Sequence, residues 1–301
     1  MSTWMRGNGF LRTVTGAILL AVVFTLVWVD SLRVGFTLFV ALLAVVGLHE
    51  FQAMAQRGAA KVEQIGAAAM VLAMIVSAHY GGLEVLNLSL LLAVFAATTL
   101  HLFAGTRTIS GMAIAVFAIV YCGWLPAHFV LLRDHRIGFD GDQLLLFLIV
   151  LIAVSDTAAY VVGKNFGRHK LAPAISPKKT WEGAVGAMIG AVAVGLLVGA
   201  WIESISYGGT ISLPTIEDKW GGALEISPYW IAVLAAALCI AGQMGDLVES
   251  MLKRDADVKD SGSFLPGHGG VLDRCDGFLF AGPLLYHCLV WVPIVPTPTI
   301  R

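Results

Sequence analysis

The sequence has little charge for its length. Only 13% of its 301 residues are Asp, Glu, Lys or Arg, whereas soluble domains carry roughly 25%. Its hydrophobic fraction is 58% and its mean hydropathy is +0.83, which excludes an ordinary soluble domain and indicates an integral membrane protein. The formal net charge of -1, with basic residues scattered or confined to two loops, gives no reason to propose nucleic acid as a partner.

Cysteine is also scarce. The four cysteines show no CxxC or zinc-like spacing, so neither a disulfide framework nor a zinc site is predicted. We interpret them as reduced packing residues. No pair of histidines has the spacing of metal ligands.

Long apolar runs fill most of the chain instead. A membrane span needs about 20 largely apolar residues, and nine segments qualify. They lie near residues 13–29, 33–53, 64–82, 85–104, 109–132, 143–163, 183–202, 226–245 and 277–296. The pattern predicts an all-α integral membrane protein, a polytopic bundle of about nine transmembrane helices with its site in cytoplasmic-side loops and helix ends.

The first four predicted helices, residues 1–105, carry few internal polar groups and are interpreted as a scaffold. Residues 106–301 form the predicted catalytic region, although both parts can belong to one continuous membrane domain. His49 and Glu50 close the second predicted helix. There a capping or snorkelling role is favoured over catalysis.

The basic residues predict an orientation, because cytoplasmic loops carry the excess of Lys and Arg. With the N-terminus inside, fourteen of the 19 basic residues lie on the inner side. We therefore expect a multi-pass protein of a bacterial cytoplasmic (inner) membrane, with its N-terminus and both charged loops in the cytoplasm.

The segment Gly245–Asp276 carries eleven of the 39 charged residues in 32 positions. If the preceding helix continues past Gly245, then Asp246, Ser250 and Lys253 share one face. An acid, a hydroxyl and a lysine on one stripe can hold a divalent cation and a phosphate together.

The PGHGG run at residues 266–270 has little side-chain bulk, so its backbone N–H groups are candidates for an anion-binding concavity. It is not a Walker P-loop, because no Gly-Lys-Ser/Thr follows. Asp273 and Asp276 are spaced i, i+3 and can reach one metal if the segment is helical. The alternative is a solvated, charge-balanced loop between membrane helices.

Residues 155–182 form a second polar constellation. Asp156 lies near the inner end of an apolar helix, where an ionisable residue is a functional candidate. Tyr160 and Lys164 share its face, and the alternative is a buried Asp that they satisfy simply to hold helices together. Five basic residues follow in a loop restricted by two prolines, and phosphate is their natural partner, although such loops also exist merely to set topology. These residues are Lys164, Arg168, Lys170, Lys178 and Lys179.

Five stretches together resemble the phosphatidate cytidylyltransferase (CDP-diacylglycerol synthase) family. They are Ser155–Thr157, Ser176–Gly183, Ser250–Arg254, Lys259–Gly262 and Leu265–Asp276. The resemblance extends from about residue 155 to 276, and the first half is similar only in hydropathy. It implies that CTP and phosphatidic acid react to give CDP-diacylglycerol and pyrophosphate.

In this hypothesis the aspartates hold Mg²⁺ and the basic residues neutralise phosphate charge. Similarity to the family also allows a second cation such as K⁺, and suggests a homodimer. The expected metal ligands are Asp246, Asp273 and Asp276; the expected catalytic groups are Lys253, Lys259, Arg274, Asp273 and Asp276; the expected substrate-binding groups are Ser250, His268, Gly269, Gly270, Lys178, Lys179 and Asp156.

Two other classes stay open. A CTP-dependent polyprenol or phytol kinase would carry similar acids and lysines but would transfer the γ-phosphoryl group. A transporter that uses Asp156 as its coupling site would normally show repeated halves and broken midplane helices. The sequence shows no internal repeat, and its charges gather in two loops on one side.

Overall fold

Long α-helices dominate the protein. The computed structural model describes residues 3–55, 61–103, 108–134, 140–206, 215–217, 223–225, 228–265, 267 and 269–291. The helices are α1 (Thr3–Trp28), α2 (Arg33–Ala55), α3 (Lys61–Phe103), α4 (Ile109–Ile119), α5 (Leu125–Arg133), α6 (Gly141–Phe166), α7 (Trp181–Ser206), α8 (Pro228–Asp255) and α9 (Leu272–Trp291). A 3₁₀ turn (Asp30–Leu32) precedes α2, and a π-helical turn (Val120–Trp124) joins α4 to α5.

Six helical stretches in the described part of the chain are long and apolar enough to cross a membrane. They are Asp30–Ala55, Gln64–Phe103, Ile109–Arg133, Gly141–Phe166, Trp181–Val198 and Pro228–Asp255. The chain is therefore a polytopic all-α membrane protein, which confirms the predicted fold class. The count of nine spans stays a prediction.

Helix α3 contains the third and fourth predicted segments without a loop between them. It breaks at Gly82, whose backbone has φ 65° and ψ -160°. Glycine adopts such a positive φ easily because it has no Cβ. The break therefore lies between the two segments that the hydropathy pattern had separated.

The chain divides into two compact units. Unit 1 comprises Met1–Leu131 and Glu249–Leu279, and unit 2 comprises Leu132–Val248 and Phe280–Arg301. In unit 1, α2 lies close to the start of α9, since a Cβ at Gly47 would be 3.0 Å from Leu272 Cδ2.

Small residues bring α6 and α7 together within unit 2. A Cβ at Gly186 would be 2.6 Å from Val162 Cγ2, and one at Gly190 would be 2.9 Å from Ala158 Cβ. Such close approach is the usual role of small residues between membrane helices. Gly186 and Gly190 of α7 thus contact α6 of the same chain. The homodimer stays a prediction.

The basic loop predicted after α6 forms a hairpin. Strand β1 (Lys170–Ala172) pairs antiparallel with β2 (Ser176–Thr180). Glu182, in the first turn of α7, holds the hairpin closed: its carboxylate accepts hydrogen bonds from the His169 backbone N–H at 3.2 Å and from His169 Nδ1 at 2.6 Å. A second antiparallel pair joins β3 (Thr215–Glu217) and β4 (Ala223–Glu225). Neither hairpin was predicted.

The sequence hypotheses required α8 to continue past Gly245 and the segment with Asp273 and Asp276 to be helical, and both conditions are met. Helix α8 continues to Asp255, so Asp246, Ser250 and Lys253 lie on one helix. Helix α9 begins at Leu272, five residues before the predicted start at 277. Asp273 and Asp276 are therefore both helical, at the i, i+3 spacing that the sequence indicated.

Candidate active site

Asp273 is the centre of a hydrogen-bonded network in unit 1. Its Oδ1 accepts a hydrogen bond from Lys253 Nζ at 2.7 Å. Its Oδ2 accepts from the Ser261 N–H at 2.8 Å, the Ser261 hydroxyl at 2.9 Å and the Gly270 N–H at 2.8 Å. Burial raises the pKa of Asp273, but these hydrogen bonds outweigh it and hold the pKa below its usual value. Asp273 is therefore an ionised and fixed carboxylate.

Lys253 lies between two carboxylates of its own chain. It forms ion pairs with Asp273 and with Glu249, one helical turn earlier on α8. The side chain of Glu249 is 0% exposed and that of Lys253 is 14% exposed. Glu249 received no role from the sequence, although a Glu four residues before a Lys on a helix is a known signal of pairing.

Glu50 of α2 belongs to the same network. It is 5% exposed, and its carboxylate accepts hydrogen bonds from the N–H groups of Val271 at 2.9 Å and Leu272 at 3.0 Å. The Ser261 hydroxyl lies 3.2 Å from Glu50 Oε2. Glu50 therefore does not snorkel, because its side chain is buried; it has a capping role, but at the start of α9 and not at the end of α2.

We call Glu50, Glu249, Lys253, Ser261 and Asp273 the loop cluster. It supplies acceptors for the N–H groups at the start of α9, which have no partners within the helix. The Gly270 N–H donates to Asp273, the next two N–H groups donate to Glu50, and the Asp273 N–H donates to Ser261 Oγ at 3.3 Å. The negative charges also suit the positive end of the helix dipole.

The glycine-rich run allows these approaches. Gly269 has φ +86°, and a Cβ there would lie 2.8 Å from Asp273 Oδ2. The backbone N–H groups of residues 270–272 donate to carboxylates of the protein itself. The sequence had suggested that the N–H groups of the glycine-rich run bind an anionic substrate. His268 lies outside the described residues, and roles for Gly269 and Gly270 toward a ligand stay predictions.

The other predicted residues of this segment are placed differently. Ser250 is buried on α8. Asp276 is half-buried, and its Oδ1 accepts a hydrogen bond from the Gly277 N–H at 2.7 Å. Lys259 and Arg274 are exposed, so both are accessible to a ligand in solution.

A second set of charges lies in unit 2. Lys179, on β2, forms an ion pair with Asp246 of α8, and their side chains are 23% and 41% exposed. Asp156 of α6 lies within electrostatic range of both. We call these three residues the hairpin cluster. Lys178 is exposed beside it in sequence.

The hairpin is held against α6 and α7 through Thr180. The Thr180 hydroxyl accepts a hydrogen bond from the Gly183 N–H at 3.2 Å, and a Cβ at Gly163 would lie 3.0 Å from it. This contact fixes the position of the preceding Lys179. Lys164 Nζ lies over the Tyr160 ring, 5.6 Å from its centroid, so these two side chains share a face of α6 as predicted.

Metal ligands are not gathered into a cluster in the part of the chain that the structure describes. No group of three or more His, Cys, Asp or Glu side chains there is arranged to hold a metal ion. Asp246 belongs to unit 2, whereas Asp273 and Asp276 belong to unit 1. The assignment of these three residues as metal ligands stays a prediction.

The long apolar helices define the class of this protein, a polytopic helical membrane protein. The comparison with known families is more specific. The chain matches the Cytidylyltransferase family over residues 10–292, and it belongs to that family.

The chain is similar to proteins named phosphatidate cytidylyltransferase. It is 36% identical to that of Brucella suis biovar 1 over 278 residues, 91% of each chain. It is 34% identical to that of Bacillus subtilis over 208 residues, 69% of each chain. It is 32% identical to the chloroplastic phosphatidate cytidylyltransferase 4 of Arabidopsis thaliana over 282 residues, 83% of this chain and 66% of the relative. Similarity thus reaches into the first half of the chain.

Proposed function

We propose that this chain transfers the cytidylyl group of CTP to phosphatidic acid, giving CDP-diacylglycerol and pyrophosphate for phospholipid biosynthesis. Membership of the cytidylyltransferase family supports this function. The single observation that carries the placement of the site is that residues of the family-like stretches converge in one network, in which Lys253, Ser261 and Asp273 are hydrogen-bonded together.

The chemistry suits residues of these types. The attacking group is a phosphate oxygen of the lipid, which is already anionic near neutral pH, so no strong general base is needed. The work of the protein is to position two anionic substrates in line and to neutralise their charge. Fixed carboxylates and lysines supply both functions, because their hydrogen bonds hold them in place before substrate arrives.

Mg²⁺ is the proposed cofactor, because carboxylate oxygens are the ligands that it prefers. The candidate ligands, each taken within its own unit, are Asp246 in unit 2 and Asp273 and Asp276 in unit 1. When bound, Mg²⁺ would neutralise phosphate oxygens and stabilise the pyrophosphate leaving group. In the described structure, Asp246 and Asp273 each have a lysine partner, so both positions already attract a cation. A second cation such as K⁺ rests on family resemblance alone.

Lys178 and Lys179 are proposed to hold phosphate groups of the lipid or the nucleotide, with Asp156 orienting Lys179. Lys259 and Arg274 are exposed and are proposed to neutralise charge that develops during the reaction. The distribution of basic residues supports a site on the cytoplasmic face of a bacterial inner membrane, where CTP is available.

A labelling experiment tests the reaction. Purified protein in detergent is incubated with phosphatidic acid, Mg²⁺ and CTP labelled at either the α or the γ phosphorus. We expect label from the α position in the lipid, together with released pyrophosphate. Transfer of the γ label would instead establish a kinase, and transfer of neither would contradict enzyme activity toward this lipid and return attention to transport.

A further inference from the structure

We propose that Glu50 is a positioning residue for the reaction: it holds the loop before α9 so that Asp273 keeps its orientation. The proposal rests on the proposed role of Asp273 in the site. It concerns a residue of α2, far in sequence from every stretch that suggested the function. The hydrogen bonds it makes to Val271 and Leu272 span 221 and 222 positions of the chain.

Both oxygens of the Glu50 carboxylate accept hydrogen bonds from the backbone. Oε1 accepts the Val271 N–H at 2.9 Å, and Oε2 accepts the Leu272 N–H at 3.0 Å. Both oxygens therefore face backbone donors at the positive end of α9. A buried carboxylate is tolerated only with such partners, so the contact fixes the start of α9 relative to α2.

The hydroxyl of Ser261 lies between two carboxylates. It is 3.2 Å from Glu50 Oε2 and 2.9 Å from Asp273 Oδ2. A hydroxyl has one proton to donate, so Ser261 can satisfy one carboxylate at a time. The shorter distance favours Asp273, and Glu50 lies where the proton can turn if Asp273 engages another partner.

Two glycines leave room for the Glu50 carboxylate. A Cβ at Gly262 would lie 2.5 Å from Glu50 Oε1, and a Cβ at Gly270 would lie 2.6 Å from Glu50 Oε2. Real Cβ atoms essentially never make contacts under 3.0 Å. A side chain at either glycine would therefore displace the Glu50 carboxylate from the position in which it accepts the α9 N–H groups.

Replacing Glu50 by Gln tests the proposal with little change of shape. Each oxygen of Glu50 faces a backbone N–H, so an amide must turn its NH₂ against one of them in either orientation. We expect faster amide hydrogen exchange in peptides covering residues 261–273 of the metal-free protein. We also expect turnover to fall by about 10- to 100-fold, the usual cost of removing a residue that orients a ligand, and the Mg²⁺ concentration for half-maximal activity to rise.

Two control variants separate positioning from general packing. Phe51→Leu changes the adjacent buried side chain of α2, which packs on Phe117 and Tyr121. It should lower the melting temperature without altering exchange in 261–273 or the Mg²⁺ dependence. His49→Gln, at the exposed neighbouring position, should change neither. Equal behaviour of Glu50→Gln and Phe51→Leu would overturn the proposal.

Ser261→Ala keeps the test decisive if Glu50→Gln fails to fold. It removes the link between the two carboxylates and leaves the Glu50 bonds to α9 in place, so the same changes are expected at smaller size. Unchanged exchange and Mg²⁺ dependence in Ser261→Ala would overturn the part of the proposal in which the Ser261 hydroxyl links Glu50 to Asp273. If both variants fold, the double variant should lose less activity than the product of the single losses, because the two residues act through one network.

The exchange measurement uses metal-free protein without substrate. It therefore tests Glu50 independently of the labelling experiment. Failure of α-label transfer by the native protein would refute the proposed function, whereas native exchange rates in Glu50→Gln would refute the positioning role alone.

Discussion

The loop cluster and the hairpin cluster both pair lysine with carboxylate, but in different surroundings. In the loop cluster Glu249 is 0% exposed and Lys253 is 14% exposed. In the hairpin cluster Lys179 is 23% exposed and Asp246 is 41% exposed. Asp273 and Glu50 also accept backbone N–H groups, so their oxygens are committed to positions in the loop before α9.

The difference in burial between the two clusters implies different costs of separating their charged partners. A buried ion pair is costly to break, because removal of one partner leaves the other charge without compensation. In the hairpin cluster the Lys179 Nζ is also buried, but Asp246 is 41% exposed, so a ligand in solution can reach its carboxylate. We infer that the loop cluster holds Asp273 in a fixed orientation for its proposed ligand, whereas the hairpin cluster presents a carboxylate that is open to solution.

The largest effect is expected from Asp273→Asn. The amide cannot accept hydrogen bonds at both former oxygen positions, so either Lys253 or a backbone N–H loses its partner. We expect turnover to fall by about 10³-fold or more, comparable to the loss of a major charge-stabilising group. Cytidylyl transfer by protein that elutes as a single species in detergent provides the measurement. Wild-type turnover would remove Asp273 from the active site.

An intermediate effect is expected from Lys179→Met, which removes the cation of the hairpin cluster. The loss of one charge-assisted contact to phosphate costs about 1.5–3 kcal/mol, or roughly 10- to 150-fold in kcat/KM. Lys178→Met is the comparison variant, because it removes the second proposed phosphate-binding lysine, which is more exposed and therefore more strongly screened by water. It should cost less than about fivefold. Equal losses in the two variants would contradict the distinction between their environments.

The smallest effect concerns pH. The pKa of Asp273 is lowered in the folded protein, so its contribution to stability is complete above the unfolded value of about 3.9 and is lost as pH falls through the folded pKa. The difference in melting temperature between native protein and Asp273→Asn should stay constant from about pH 7 to pH 5. A difference that shrinks within that range would mean that Asp273 is not held ionised.

Several features could be predicted from sequence because they depend on neighbouring residues. Hydropathy located the membrane helices, since about 20 apolar residues are needed for a span. The family-like stretches identified Lys253 and Asp273, which the structure joins by a 2.7 Å hydrogen bond. Asp273 and Asp276 are spaced i, i+3 in the sequence, and they lie about one helical turn apart because α9 begins at Leu272.

Glu50 could not be found in this way. Nothing near it in sequence indicates an acceptor for the α9 N–H groups, and a Glu beside a His at a helix end is typical of a solvated terminus. The β1–β2 hairpin was also missed, because two strands of three and five residues are too short to show a clear alternation of apolar residues.

The amino-acid sequence by itself determined that this protein is a helical membrane protein, and it identified the segment that carries the cytidylyltransferase residues. These properties follow from local composition, spacing and motif. The tertiary structure alone decided which charges are buried together and which stay accessible. The physical reason is that a buried carboxylate needs donors, and for Glu50 those donors lie more than 200 residues away along the chain.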